Sequence, residues 1–153
     1  MKISEFLSQT RINLELEATS KDEVLKELVD LLNVDGRSKA ILLKMIKKRE
    51  KLGSTGMGKG VAIPHGRSLV ANRLMMCCGV SAKGIEYDSF DGKPAHLFFL
   101  IVAPAQEISN QYLPILGRIA QISRYVKNTK KLLKAKSPED FLALLEEIET
   151  SID

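Results

Sequence analysis

The chain has 153 residues, of which 44% are hydrophobic and 27% charged, and its formal net charge at pH 7 is +4. These values are typical of one folded domain with a hydrophobic core and exclude an intrinsically disordered chain. The mild positive charge suits an acidic or phosphorylated protein partner, whereas no arginine-rich arm, aromatic–basic pattern or zinc-finger spacing favours nucleic-acid binding.

The N-terminus and the apolar segments argue against membrane insertion. Glu5 comes early and no long apolar run follows it, so we expect no signal peptide. The longest apolar run, Leu97 to Ala103, is far shorter than a membrane span. The adjacent Cys77 and Cys78 would point to opposite faces of a strand, which disfavours a disulfide or a metal site. We therefore expect a cytoplasmic protein without a bound metal.

The first third of the chain predicts one strand and two helices. Apolar and polar residues alternate from Ile12 to Leu16, as in a half-buried strand. Ser20 and Glu23 have the spacing of a capping box, in which each side chain pairs with a free amide at the helix start. A second helix is predicted from Arg37 to Leu52, with basic residues in its last turns and Gly53 at its end.

Arg49 breaks the pattern of this second helix. It lies three residues after Ile46 and seven after Leu42, which places it on or beside the buried stripe. A charged side chain there either covers the core with its aliphatic stem or has an anionic partner. The spacing alone leaves both interpretations open.

The middle of the chain is rich in glycine and then in apolar residues. A short apolar stretch, Val61 to Ile63, is stopped by Pro64, where we expect the strand to end. Two further strands are predicted at Leu74 to Val80 and Leu97 to Val102, the second apolar enough to be covered on both faces. The residues between them, Asp88 to Pro94, have the composition of a turn.

Two helices are predicted in the last third. Pro114 is tolerated only in a first helical turn, so one helix should begin between Ser109 and Gln111. Ser137 offers an N-cap for another helix, with Pro138 at its first position. Strands that alternate with helices predict a single α/β domain over residues 1–153, with helices packed against a central sheet.

The glycine-rich segment from Gly53 to Lys59 has the G-x-x-x-x-G-K spacing of a nucleotide phosphate loop. Two features oppose that function. Gly60 stands where the magnesium-binding serine or threonine belongs, and the segment follows a helix and precedes a strand, the reverse of the required order. A zinc site built from His65, His96 and the cysteines lacks ligand spacing. We therefore expect no cofactor.

His65 is the candidate for covalent chemistry. Pro64 fixes its own backbone and Gly66 follows, so the imidazole lies at a rigid strand end that another protein can approach. Imidazole is nucleophilic near neutral pH, and no Ser/Asp triad partner is evident. His65 therefore fits a histidine that acts alone as a covalent acceptor, whereas His96, which enters an apolar strand, is interpreted as structural.

The segment from Arg49 to Gly66, REKLGSTGMGKGVAIPHG, resembles the active-site signature of type-2 enzyme IIA domains. These domains belong to the bacterial phosphoenolpyruvate–sugar phosphotransferase system, in its fructose/mannitol and nitrogen-regulatory group. Ile3 to Leu7, Asp91 to Pro94 and Ala103 to Pro104 extend the resemblance over nearly the whole chain. It implies a mixed β-sheet flanked by helices and a phosphocarrier that receives a phosphoryl group on Nε2 of His65 from an HPr-like histidine phosphocarrier.

The resemblance also assigns the surrounding residues. Arg49 matches the arginine beside the phosphohistidine, where its guanidinium holds phosphate oxygens, and Ser54 and Thr55 are candidates for further hydrogen bonds. The family usually has a second histidine at the start of a later helix, and this chain has Tyr112 there. A phenol can donate a hydrogen bond to phosphate but cannot become a cation, so we expect slower onward transfer.

Three functions follow from these observations. The favoured one is a nitrogen-regulatory-type IIA protein that binds regulatory targets according to its phosphorylation. The Gly-Ser-Thr-Gly signature and the Ile-Ser-Glu-Phe-Leu opening look closest to the regulatory members, and we expect no fused IIB or IIC segment. The first alternative is a sugar-specific IIA that relays phosphate to a IIB domain for fructose- or mannitol-type uptake. The second is a binding regulator with the same fold that no longer transfers phosphate.

Overall fold

A computed structural model describes residues 2–106 and 110–152, and within these ranges six strands form one mixed sheet with helices on both faces. The strands are β1 (Ile12–Asn13), β2 (Gly56–Gly58), β3 (Val61–Ala62), β4 (His65–Ser68), β5 (Met75–Ile85) and β6 (Ala95–Pro104). The α-helices are α1 (Lys21–Leu31), α2 (Gly36–Leu52), α3 (Tyr112–Ser123), α4 (Val126–Leu133) and α5 (Pro138–Ile152). Two short 3-10 helices, Ile3–Phe6 and Gln9–Arg11, precede β1.

The sheet is centred on the long antiparallel pair β5 and β6. β1 runs parallel to β5, and β3 and β4 run parallel to β6. β2 pairs with β3 in antiparallel orientation and forms the edge. This arrangement confirms the expected α/β fold with a mixed sheet flanked by helices.

Alternate residues of the central strands belong to two separate cores. Cys78 and Phe99 face α3 and α5, whereas Cys77 and Phe98 face α1 and α2. The adjacent cysteines therefore lie on opposite faces of the sheet, as predicted, and burial raises the pKa of both thiols well above the ordinary value. The sheet is the middle layer between two helical layers.

The predicted helix caps are present, with a shift at two of them. The Ser20 hydroxyl accepts a hydrogen bond from the Glu23 amide at 3.2 Å, but the Glu23 carboxylate accepts from the Thr19 amide rather than from Ser20. α2 begins one residue earlier than predicted, because Asp35 caps it by accepting from Ser38 N at 2.8 Å. Ser137 caps α5 by accepting from Asp140 N at 3.0 Å.

Other element boundaries differ from the prediction. The first strand contains only Ile12–Asn13, although Leu16 N still donates to Val80 O at 2.9 Å. α3 begins at Tyr112, after the expected start, and Ser109 lies outside the described residues. α4 was not predicted. Among the described residues, no helix combines the length and hydrophobicity that crossing a bilayer requires.

Pro64 interrupts a strand instead of ending it, which corrects the sequence-based expectation. β3 and β4 both pair with β6, with Val61 opposite Leu97 and His65 opposite Ile101. Pro64 has no N–H to donate, but its carbonyl still accepts from Ile101 N at 3.0 Å. The chain therefore resumes pairing at once, and His65 is the first residue of β4.

Candidate functional site

A cavity of about 200 Å³ lies where the end of α2, the following loop, β4 and α3 meet. Its lining contains four of the five site residues predicted from the sequence, together with apolar side chains of α3. The lining residues are Arg49, Ser54, Thr55, Gly56, Met57, Ile63, His65, Leu116 and Ala120. The fold thus gathers residues that are distant in sequence around the His65 imidazole.

His65 is half-buried, and its Nδ1 lies 2.6 Å from the carbonyl oxygen of Ile63. A carbonyl oxygen can only accept a hydrogen bond, so Nδ1 carries the hydrogen and Nε2 keeps the lone pair. The break at Pro64 turns the Ile63 carbonyl toward the ring two residues later. In the neutral ring this contact therefore leaves Nε2 as the nitrogen with an available lone pair.

Arg49 is half-buried in the last turn of α2, where its Nη1 donates to Gly53 O at 2.8 Å. This bond orients the guanidinium across the helix end, beside the cavity. In the described part of the chain, no carboxylate lies within salt-bridge distance of Arg49. The positive charge is therefore available to an anion in the cavity.

The Ser54 and Thr55 hydroxyls line the cavity, but both already donate to other groups. Ser54 Oγ donates to Tyr87 O at 2.7 Å and accepts from Gly56 N at 3.0 Å. Thr55 Oγ1 donates to a carboxylate oxygen of Glu50. These bonds hold the loop in place, and a direct contact from either hydroxyl to phosphate stays a prediction.

Glu50 is a buried carboxylate behind the cavity that the sequence reasoning missed. It accepts from Thr55 N at 3.1 Å and pairs with Lys21 Nζ at 3.0 Å. Since the Thr55 hydroxyl donates to Glu50, the Tyr87 hydroxyl donates to Thr55 Oγ1 at 3.2 Å. Burial, together with the negative charge of Glu50, raises the pKa of Tyr87. Helical spacing was the missed signal, because Glu50 follows Ile46 by four residues.

Tyr112 lies beside His65. It is the first residue of α3 and is 6% exposed, and its ring centroid lies 6.1 Å from that of the imidazole. The Cζ atom of Arg67 lies 4.6 Å from the centroid of the same ring. Arg67 was not predicted, because the sequence carries no sign of a strand after Pro64 on which it could share a face with His65.

His96 is held away from this cavity by backbone contacts. Its Nδ1 lies 2.9 Å from Ser81 O, and its ring leaves no room for a side chain at Gly84, whose φ is +82°. These contacts agree with the structural interpretation of His96.

Comparisons with known proteins extend these observations. Residues 5–148 match the family described as phosphoenolpyruvate-dependent sugar phosphotransferase system, EIIA 2. The chain is 33% identical over 147 residues to the PTS system fructose-specific EIIABC component of Bacillus subtilis strain 168, an alignment that covers 95% of this chain and 23% of that protein. It is 30% identical over 146 residues to the nitrogen regulatory protein of Bradyrhizobium diazoefficiens, with 95% of each chain covered.

Among solved structures, nitrogen regulatory protein IIA-Ntr from Neisseria meningitidis has a TM-score of 0.85 and 32% sequence identity, and the alignment covers 94% of this chain and 98% of that one. The family match spans nearly all of the chain, and its range includes the residues around the cavity. The chain therefore belongs to the type-2 EIIA family of the phosphoenolpyruvate-dependent sugar phosphotransferase system.

Proposed function

We propose that this protein is a cytoplasmic phosphocarrier that accepts a phosphoryl group on Nε2 of His65 from an HPr-like histidine phosphocarrier. We further propose that it acts as a nitrogen-regulatory-type IIA regulator. The observation that carries the proposal is the 2.6 Å contact from His65 Nδ1 to Ile63 O, which leaves the lone pair on Nε2.

In the proposed reaction the Nε2 lone pair of His65 forms a bond to phosphorus while the N–P bond of the donor's phosphohistidine breaks. The electrons of the broken bond stay with the donor imidazole as it leaves. Proton exchange with solvent then leaves the donor ring neutral. The His65 Nδ1–H remains bonded to Ile63 O and supports the charge that the ring gains. Such transfers depend mainly on positioning and on offsetting charge at the phosphoryl oxygens.

Arg49 supplies the positive charge in this proposal. A phosphoryl group brings close to two negative charges, and a guanidinium can donate two parallel hydrogen bonds to its oxygens. The cavity of about 200 Å³ is smaller than the roughly 300–1,000 Å³ of typical small-molecule sites. Its size supports transfer of a phosphoryl group rather than binding of a sugar or nucleotide.

Two observations favour the regulatory function over a sugar relay. IIA-Ntr from Neisseria meningitidis superposes with a TM-score of 0.85, whereas IIA mannitol from Escherichia coli has a TM-score of 0.73. Tyr112 provides a phenol where the family usually has a second histidine, and a phenol does not become a cation. The 33% identity to a fructose-specific component keeps relay to a IIB domain as the second candidate.

The first test is phosphorylation in vitro. Incubation with phosphoenolpyruvate, enzyme I and the histidine phosphocarrier should give one acid-labile phosphate, which mass spectrometry and 15N NMR should assign to Nε2 of His65. His65→Ala should abolish the label, whereas the matched variant His96→Gln should keep it if it folds. A label that persists in His65→Ala would contradict the proposal.

A chase with a panel of IIB domains separates the candidate functions. Fast transfer to a fructose- or mannitol-type IIB domain would favour the sugar relay. Stable phospho-His65, together with phosphorylation-dependent binding of a regulatory target, would support the proposed function. Absence of phosphorylation would leave only a binding regulator.

A further inference from the structure

Arg67 lies on the same face of β4 as His65. Side chains alternate along a strand, and the residue between them, Gly66, faces α2, where an added Cβ would collide with the Met45 sulfur. His65 and Arg67 therefore both face α3, and two residues of strand separate their Cα atoms by about 7 Å.

The Arg67 guanidinium rests on an aromatic ring instead of a carboxylate. Its Cζ lies 4.6 Å from the centroid of the Tyr112 ring, and Nη1 donates a long hydrogen bond of 3.4 Å to Pro104 O. Within residues 2–106 and 110–152, no carboxylate lies within salt-bridge distance of Arg67. A ring holds a guanidinium through its quadrupole and leaves the positive charge unneutralised.

The same ring also neighbours the imidazole. The Tyr112 centroid lies 6.1 Å from that of His65, so this one ring neighbours both side chains of β4. Covered in this way, Tyr112 is only 6% exposed, whereas Arg67 remains exposed. The tyrosine thus holds Arg67 in the neighbourhood of His65, since one ring contacts both side chains.

We infer that Arg67, held on the Tyr112 ring, is a second cation for the phosphoryl group on His65. Arg49 approaches from the end of α2, and Arg67 approaches from the α3 side of β4. Tyr112 thereby replaces a cationic second histidine by positioning an arginine rather than by carrying charge itself. This inference rests on the proposed function, since it concerns the phosphorylated state.

The test uses phosphoramidate, a small-molecule donor, so that no protein–protein step intervenes. 31P NMR then follows the second ionisation of the phosphoryl group on His65 against pH. A nearby cation favours the dianion, so Arg67→Gln should raise the pKa of this ionisation. Exposed charge pairs contribute little energy, so we expect this pKa to rise by about 0.2–0.7, which is a ~1.5- to 5-fold change in the ionisation constant. The difference should shrink at high salt.

Companion variants separate charge from structure. Arg67→Lys keeps the charge, but its ammonium group lacks the flat surface that stacks on the ring. Its phosphoryl pKa should therefore lie between those of wild type and Arg67→Gln. Arg37→Gln removes the same charge at the far end of α2, about 18 Å along the helix from Arg49, and should not change the titration.

Variants of the ring test the positioning. Tyr112→Phe keeps the aromatic face that holds Arg67, so its phosphoryl pKa should stay closer to wild type than that of Arg67→Gln. Tyr112→Leu should raise the pKa in the same direction as Arg67→Gln, and the double variant should show no added effect, as expected for coupled residues. If Tyr112→Leu does not fold, comparing the phosphoryl pKa of Arg67→Gln with that of Tyr112→Phe tests whether the Arg67 charge acts on the phosphoryl group.

Each result leads to a conclusion. If the wild-type protein takes no phosphate on His65, the proposed function fails before Arg67 is tested. If His65 is phosphorylated but Arg67→Gln titrates as wild type does, the proposed function stands and the inference about Arg67 is wrong.

Discussion

At the scale of single residues, the proposed chemistry of His65 depends on a backbone carbonyl and two arginines. The Ile63 carbonyl fixes the hydrogen on Nδ1, while Arg49 and Arg67 approach from different elements. Neither guanidinium pairs with a carboxylate in the described ranges. Without a phosphoryl group, the two guanidinium charges are therefore not offset by a carboxylate. This arrangement favours the acceptance of a dianion in the proposed reaction.

Removing the Arg49 charge should slow acceptance of phosphate. Hydrogen bonds to charged groups contribute about 1.5–3 kcal/mol, so Arg49→Gln should reduce the single-turnover rate from the phosphorylated donor by roughly 10- to 100-fold. Arg49→Lys should recover part of that rate, because a point charge replaces the two-pronged donor. Rapid-quench measurements give the rates, and an unchanged circular dichroism spectrum confirms folding. Equal rates for wild type and Arg49→Gln would exclude the assigned role.

The sequence predicted some of these residues and not others, for physical reasons. His65 stood out because proline and glycine flank it, and Arg49 because a charge interrupted a buried stripe. Nothing in the sequence distinguishes Arg67 from other arginines. Its proposed role depends on a contact with Tyr112, which lies 45 residues later in the chain. Such a contact exists only after the sheet and α3 have packed together.

At the scale of elements, the loop between α2 and β2 is held from behind by Glu50. The carboxylate accepts from both the amide and the hydroxyl of Thr55 and pairs with Lys21 of α1. One side chain thus fixes the loop that lines the cavity and joins α1 to the end of α2. We therefore expect the rigidity of the proposed phosphate site to depend on this buried group.

Glu50→Ala should therefore destabilise the protein and loosen the site together. Unpaired buried donors at Thr55 and a lone Lys21 should lower the free energy of unfolding by about 1–3 kcal/mol. Glu50→Gln should cost less, since an amide oxygen can still accept from the Thr55 amide. Urea unfolding measures the change, and Glu15→Gln, on an exposed side chain, should stay within about 0.5 kcal/mol of wild type. A Glu50→Ala protein as stable as this control would contradict the anchoring role.

The elements that the sequence predicts are those stabilised by contacts between residues close together in the chain. α1, α2 and α5 have local caps at Ser20, Asp35 and Ser137, so their starts are encoded nearby. α4 begins without a side-chain cap, and the Asn128 side chain fastens it to Ile122 O at 3.1 Å, a tertiary contact. β4 contains His-Gly-Arg-Ser, which has no strand pattern, and it exists because β6 offers a free edge.

At the scale of the whole molecule, the sheet separates two cores, and each contains one cysteine. Cys77 lies in the core under α1 and α2, where its Sγ–H contacts Leu28 O at 3.2 Å, and Cys78 lies in the core under α3 and α5. Both side chains have no exposed surface. The ionisation of these thiols therefore reports on the integrity of both layers at once.

Because burial raises both thiol pKa values, the folded protein keeps its thiol protons in mild alkali, whereas the unfolded chain releases them near pH 8.5. The unfolded state then binds fewer protons, so stability must fall as pH rises. Between pH 7.5 and 9.5 we expect a loss of about 1–2 kcal/mol per thiol, or roughly 3 kcal/mol in total. Urea unfolding under reducing conditions measures this loss. Cys78→Ala should lower stability at every pH but halve the alkaline loss, and an undiminished loss would show that other groups cause it.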